Sequence, residues 1–143
     1  MPKPKPNRLK LATTPTKTPR ATVPRVLFVD DIPQLPHSLI RLLPCHVDAV
    51  VVTSGLRAIR ELERGTFDLV VADLEMPGLS GADLLILVKE RWPATRRILL
   101  TGHTSGALLE RATAYSEATL DKILSREILT ETICRLATEP RKT

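Results

Sequence analysis

No apolar run in this 143-residue sequence approaches the roughly 18 residues of a membrane-spanning helix, and the N-terminus lacks the apolar core of a secretory signal. These absences leave no helical membrane span and predict a cytoplasmic protein. Cysteine is nearly absent as well: Cys45 and Cys134 stand far apart, with no close Cys or His to complete a zinc or redox motif. Both read as small buried hydrophobes in a reducing compartment. Met1 to Pro24 contains no acid and no aromatic residue, yet it holds six prolines and six cations: Lys3, Lys5, Arg8, Lys10, Lys17 and Arg20. Such a segment cannot bury enough surface to fold, so residues 1–24 are expected to form an extended, largely disordered arm. Its charges give salt-sensitive attraction to nucleic acid, anionic lipid or an acidic partner, but it has no ring on which a base could stack. Without those six cations the formal net charge of +5 falls to about −1, so the remainder is no basic nucleic-acid binder and no DNA-binding domain is expected.

What is present suits one soluble domain with a sizeable core: 43% hydrophobic residues and a mean hydropathy near zero. Its most informative stretch is Phe67 to Gly81, FDLVVADLEMPGLSG. Phe67, Leu69, Val70, Val71 and Ala72 make a β-prone run, apolar but for Asp68, flanked by helical patterns; that predicts a buried parallel strand. Asp73 falls where this strand ends and a turn-rich segment begins. Ligands of open α/β sheets bind outside the carboxyl ends of the strands, so an acid there is placed for chemistry, although alone it could simply open a turn toward Pro77 and Gly78. Two further apolar runs end in polar groups: Val26 to Asp31 in the acids Asp30 and Asp31, and Arg97 to Thr101 in a hydroxyl. Lys122 follows a fourth run, Ala118 to Leu120. If the strands are parallel, three carboxylates, a hydroxyl and an ammonium meet on one edge. Crowded carboxylates repel, and a hard, oxygen-preferring divalent cation relieves them.

Helical segments are predicted between these strands. Ile32 to Leu43 carries Pro33 and Pro36 early, where a first turn tolerates them, and an apolar side of Leu39, Ile40, Leu42 and Leu43. Val47 to Thr53 is a second strand suited to a sheet edge. Ser54 caps a helix with the stripe Leu56, Ile59 and Leu62, closed by Gly65. Ser80 with Asp83 resembles a capping box for a helix that turns Leu84, Leu85, Leu87 and Val88 to the sheet and ends at Trp92-Pro93. Leu108, Leu109 and Ala112, and then Ile128, Leu129, Ile133 and Leu136, mark the last two helices. Strands alternating with helices imply a three-layer α/β/α sandwich.

The ordered set of polar positions resembles the receiver domain of two-component response regulators, over about residues 25 to 137. Its motifs match at Asp30 and Asp31, at Asp73, at Met76-Pro77-Gly78 with Gly81, at Thr101 and at Lys122. The resemblance implies a flavodoxin-like fold with a five-stranded parallel sheet in the order 2-1-3-4-5. It implies a stand-alone receiver whose Asp73 accepts a phosphoryl group from a sensor histidine kinase or a histidine phosphotransfer protein, assisted by Thr101 and Lys122. Mg²⁺ would be held by Asp31, Asp73 and the main-chain carbonyl of Glu75, with Asp30 holding a coordinating water. A downstream protein target would carry the response, and a weak homodimer is a further expectation; residues 138–143 would be a short tail. The lifetime of the phosphoryl group would depend on Glu75 and His103. Beyond autocatalytic phosphorylation no enzymatic activity is expected. Two departures stand out: Thr119 replaces the usual Tyr or Phe, and Ile123 replaces the proline after the lysine, which implies that Lys122 approaches by a different path and that the conformational response is muted. A receiver-like scaffold independent of phosphorylation is therefore an alternative. A phosphatase with an aspartyl nucleophile fits less well, because such enzymes usually carry D-x-D-x-T after strand 1, where this chain has Asp30-Asp31-Ile32-Pro33.

Overall fold

In the computed structural model, which describes residues 22–102 and 106–140, five short strands form one parallel sheet. They are β1 (Arg25–Val29), β2 (Asp48–Val52), β3 (Leu69–Asp73), β4 (Arg96–Thr101) and β5 (Ala118–Asp121), in the spatial order β2-β1-β3-β4-β5. Helices α1 (Gln34–Leu42), α2 (Gly55–Arg64), α3 (Gly81–Arg91), α4 (Ala107–Ala114) and α5 (Arg126–Thr138) make the crossovers. The expected sandwich and strand order are thus observed, and β2 is an edge strand with only β1 beside it.

Alternation along the strands sorts the core into two halves. Leu27, Val29, Val70, Ala72 and Leu99 meet α2, α3 and α4, where Ala58, Leu62, Leu84, Leu85, Val88 and Ala112 are buried. Val26, Phe28, Leu69, Val71, Ile98 and Leu100 meet α1 and α5, through Leu39, Leu129, Ile133 and Leu136. Because β1, β3 and β4 are covered on both sides, nearly every residue in them is buried, which is why they appear in the sequence as unbroken apolar runs.

The helix starts follow local chemistry. Ser54 Oγ accepts the Arg57 N–H at 3.2 Å, Ser80 Oγ the Asp83 N–H at 3.1 Å, and Ser125 Oγ the Ile128 N–H at 3.2 Å. Ser80 supplies only half a capping box, since the Asp83 carboxylate turns to Arg111 on α4 at 2.8 Å. Three stripe assignments are corrected. Leu42 is 53% exposed, Leu56 64% and Ile128 48%, because each is turned away from the row its helix presents to the sheet. Leu87 is only half-buried.

A larger correction concerns the cysteines. Cys45 and Cys134 are bonded as a disulfide, with Cα atoms 5.9 Å apart. Helices α1 and α5 cover the same face of the sheet, so the segment after α1 lies against α5 although 89 positions separate the two residues. The folded unit is also wider than 25–137. The buried Pro24 accepts the Asp48 N–H at 2.8 Å through its carbonyl, and the Pro140 carbonyl accepts from Arg96 at 2.6 Å. The rest of the basic arm, residues 1–21, and the tail residues 141–143 lie outside the described residues.

Candidate functional site

The carboxyl ends of β1, β3, β4 and β5 bring Asp30, Asp73, Thr101 and Lys122 to one edge. Each is fixed by main chain. The Asp30 N–H donates to the Val52 carbonyl at 3.1 Å, and Asp30 Oδ1 accepts from Ile32 N–H at 3.0 Å, which holds the side chain over the start of the loop. Lys122 N–H donates to the Thr101 carbonyl at 2.9 Å, tying the lysine to the end of β4. Beyond it, Asp121 Oδ1 accepts the Ile123 N–H and the Asp121 carbonyl accepts the Leu124 N–H, both at 3.0 Å. This Asx turn bends the chain without proline. The lysine is thus carried to the site on a turn made by Asp121, with no cis peptide bond among the described residues. Lys122 Nζ reaches Asp73 Oδ1 at 2.7 Å and Asp30 Oδ2 at 3.6 Å.

Asp73 is shaped by its neighbours on the following helix. Gly81 N–H donates to the Leu74 carbonyl at 2.8 Å, and a Cβ at Gly81 would collide with the main-chain carbonyl of Asp73. Only glycine lets α3 begin this close to the strand end. Gly78, with φ of +79°, makes the intervening turn.

Asp30, Asp31 and Asp73 each offer an oxygen within 4.8 Å of the others. Asp30 is buried, Asp31 and Asp73 half-buried. Burial raises the Asp73 pKa above its ordinary 3.8; the Lys122 hydrogen bond opposes this, while the charges of Asp30 and Asp31 reinforce it, and the net shift is upward. Burial also works against the Lys122 charge, but its hydrogen bond to Asp73 and the charges of Asp73 and Asp30 outweigh it, and its pKa rises above 10.5. One ammonium therefore faces three carboxylates. Three hard oxygen donors with an unbalanced negative charge fit a divalent cation of the Mg²⁺ type, by donor chemistry and by charge. Thr101 is buried beside them, whereas the Glu75 side chain is exposed. His103, the other residue expected to govern phosphoryl lifetime, lies outside the described residues.

Reading from sequence missed Asp121, which positions Lys122. An Asp two residues before an unrestrained N–H at a strand end was the available signal. It also gave Thr119, which stands in place of the aromatic residue, no partners. Thr119 Oγ1 lies 3.1 Å from Ser116 Oγ and 3.3 Å from Thr113 Oγ1, a chain of hydroxyls joining β5 to the end of α4.

Residues 26–136 match the family model of the response regulator receiver domain. The hydrogenase transcriptional regulatory protein HoxA of Cupriavidus necator is 37% identical over 79 residues, covering 55% of this chain and 16% of that protein. The response regulator protein FleR of Pseudomonas aeruginosa is 33% identical over 102 residues, covering 70% of this chain and 21% of that protein. The chain thus corresponds to a small part of these curated relatives. Among solved structures, the response regulator protein TrrA of Thermotoga maritima, in complex with Mg²⁺ and BeF, superposes with a TM-score of 0.71 at 25% identity, over 80% of this chain and 99% of that one.

Proposed function

Because this chain belongs to the response regulator receiver domain family, the phosphoacceptor modules of two-component signalling, we propose that Asp73 is its phosphoacceptor. The observation that carries this reading is the meeting of the Asp30, Asp31 and Asp73 oxygens within 4.8 Å, with Lys122 Nζ 2.7 Å from Asp73. A phosphohistidine on a sensor kinase or a histidine phosphotransfer protein is the donor. An Asp73 carboxylate oxygen forms the new O–P bond as the donor's N–P bond breaks; the imidazole nitrogen keeps the electron pair and takes up a proton. The transition state is loose, so alignment and neutralisation of the phosphoryl oxygens supply most of the catalysis. Mg²⁺, held by Asp31, Asp73 and the Glu75 main-chain carbonyl with Asp30 retaining a coordinating water, would supply charge neutralisation there. Once Asp73 carries the phosphoryl group as an acyl phosphate, Lys122 transfers its contact to a phosphoryl oxygen and Thr101 donates its hydroxyl to another. No enzymatic role toward a separate substrate is assigned.

The module works in the cytoplasm, where histidine kinases present their donors, and signals by binding a protein target; weak self-association is a second outlet. No described helix is long and apolar enough to cross a membrane. All ten described elements belong to the sheet and its two helical layers, so none is left for a DNA-binding unit among the described residues. A second reading, a receiver-like scaffold that needs no phosphorylation, is favoured by Thr119, since the hydroxyl chain it joins has no large ring to reorient.

Incubation with Mg²⁺ and a small phosphodonor separates the two. Intact mass gains one phosphoryl group if Asp73 is an acceptor. An unchanged mass under conditions that label other receivers assigns the scaffold.

A further inference from the structure

The edge strand carries a second polar concavity, about 140 Å³ in volume, lined by Val52, Arg57, Arg60, Glu61 and Arg64. The spacing places these four charged residues on one side of α2, at i, i+3, i+4 and i+7, opposite the buried row of Ala58 and Leu62. Guanidinium groups three and four residues apart repel, and helices normally relieve that with acids at the same spacing. Here the relief is incomplete. Arg64 meets Glu61 at 3.6 Å, and the other acid of the helix, Glu63, is drawn away to Arg91 on α3 at 3.1 Å. Arg57 and Arg60 have no acidic partner among the described residues.

Two free guanidinium groups at the mouth of a cavity with an apolar wall, Val52, are suited to an anion. The flat fork of arginine takes a phosphate or carboxylate two oxygens at a time. Size narrows the class. The volume corresponds to roughly five waters and lies well below the ~300 Å³ at which drug-sized pockets begin, so an aromatic nucleotide does not fit whole. The chain's own basic arm is excluded as occupant by its charge. We propose that Arg57 and Arg60, with Val52 as the floor, form a binding site for a small polyanion of the phosphate class, separate from the phosphoacceptor site. The two sites are not remote, however: the Val52 carbonyl accepts the Asp30 N–H at 3.1 Å, so an occupant beside Val52 abuts the peptide that sets the Asp30 position.

Pyrophosphate is the probe, titrated into the full chain in low-salt chloride buffer without divalent cations, with amide chemical shifts as the readout. Saturable shifts centred on residues 52–64 are expected. The Arg57→Gln/Arg60→Gln double variant should weaken binding about ten-fold or more, the effect of losing charge-assisted hydrogen bonds. Glu61→Gln should tighten it, because it removes the acid that competes for the same cavity. Asp73→Asn should leave it unchanged, so failure of the phosphoacceptor reading would not be confused with failure of this one. Arg41→Gln, on α1, controls for bulk charge. Shifts confined to residues 1–24, equal affinity in the double variant, or absence of saturation at millimolar pyrophosphate would each overturn the proposal. Since the three arginines are exposed, the variants should fold, and matching melting temperatures check that they do.

Discussion

The two edges of the sheet treat charge in opposite ways. At the amino edge every buried ion has its partners. Arg97, nearly inaccessible, donates to Glu117 at 2.9 Å, to the Tyr115 carbonyl at 2.7 Å and to the Thr95 carbonyl at 2.6 Å, while the Glu117 carboxylate also takes the Arg97 N–H at 2.8 Å. Arg96 closes the end of α5 by donating to the carbonyls of Leu136, Glu139 and Pro140. Asp68 accepts the Arg25 N–H at 2.8 Å. At the carboxyl edge Asp30 and Asp73 share one lysine, Asp31 adds a third acid beside them, and the group stays short of positive charge. Buried ions of the first kind hold a fold in one arrangement; those of the second keep a place for something still to arrive. Burial of charge alone therefore does not mark a functional site, but imbalance does.

The comparison is broken most directly by exchanging an acid at each edge. Asp73→Asn should reduce phosphoryl incorporation to background, because the side chain keeps its shape and loses its nucleophilic anion. Asp68→Asn should leave incorporation per folded molecule intact. Equal labelling of Asp73→Asn, read by intact mass, would put the acceptor elsewhere.

Next in size is a loss of stability confined to the amino edge. Arg97→Met takes the guanidinium from the Glu117 carboxylate, 17% exposed, and from the Tyr115 and Thr95 carbonyls, while the residue-97 N–H still donates to Glu117; the loss costs about 1 to 3 kcal/mol. A fall in melting temperature of roughly 5 °C or more should follow, with labelling preserved in the protein that remains folded.

A smaller and pH-dependent effect is expected from Lys122→Met. The lysine pKa is raised by folding, so its contribution is complete below the unfolded value of 10.5 and disappears only as pH climbs through the higher folded value. Asp73 has the opposite sense: its raised pKa means that ionising it costs stability as pH rises from 3.8 through its folded value. Removing the lysine should therefore cost about 1 kcal/mol at pH 7, discounted for partial exposure, and less under acid conditions where Asp73 holds its proton. Carboxyl carbon NMR without metal should find Asp73 titrating above 3.8 and higher still in the variant. A downward move would reverse the assigned coupling.

The smallest effect concerns how far phosphorylation reaches. With Thr119 in a hydroxyl chain, a phosphoryl mimic has little differential contact with which to bias α4 and β5. Amide exchange with Mg²⁺ and beryllofluoride should change in the loops after Asp73 and Thr101. Broad new protection from Leu108 to Leu136 would show that a strong switch operates without the ring.

Much of this was legible from residue order. Unbroken apolar runs ending in Asp30, Asp73 and Thr101 gave the strands and the edge on which they converge, because period and strand polarity are local properties. What escaped depended on partners distant in sequence. Arg97 looks like an ordinary strand start until Glu117 and Tyr115 are brought beside it, and Arg96 caps a helix some 40 positions later. Leu56 and Ile128 passed for core because an apolar residue near a stripe resembles one within it. Asp121 went unnoticed because a turn carboxylate signals only through the N–H it holds.

The disulfide also makes the molecule mechanically uneven. Cys45 and Cys134 close a ring of chain that contains β2 to β5, and with them Asp73, Thr101 and Lys122, whereas Asp30 and Asp31 lie on the open lead before it. Under tension applied at the two ends, an oxidised molecule can yield only outside the ring, so the acid pair is pulled from the site while the acceptor, hydroxyl and lysine remain gathered. Reduction frees the 89-residue span, about 300 Å of added contour at ~3.3–3.6 Å per residue, and places all five groups on the same stretching thread.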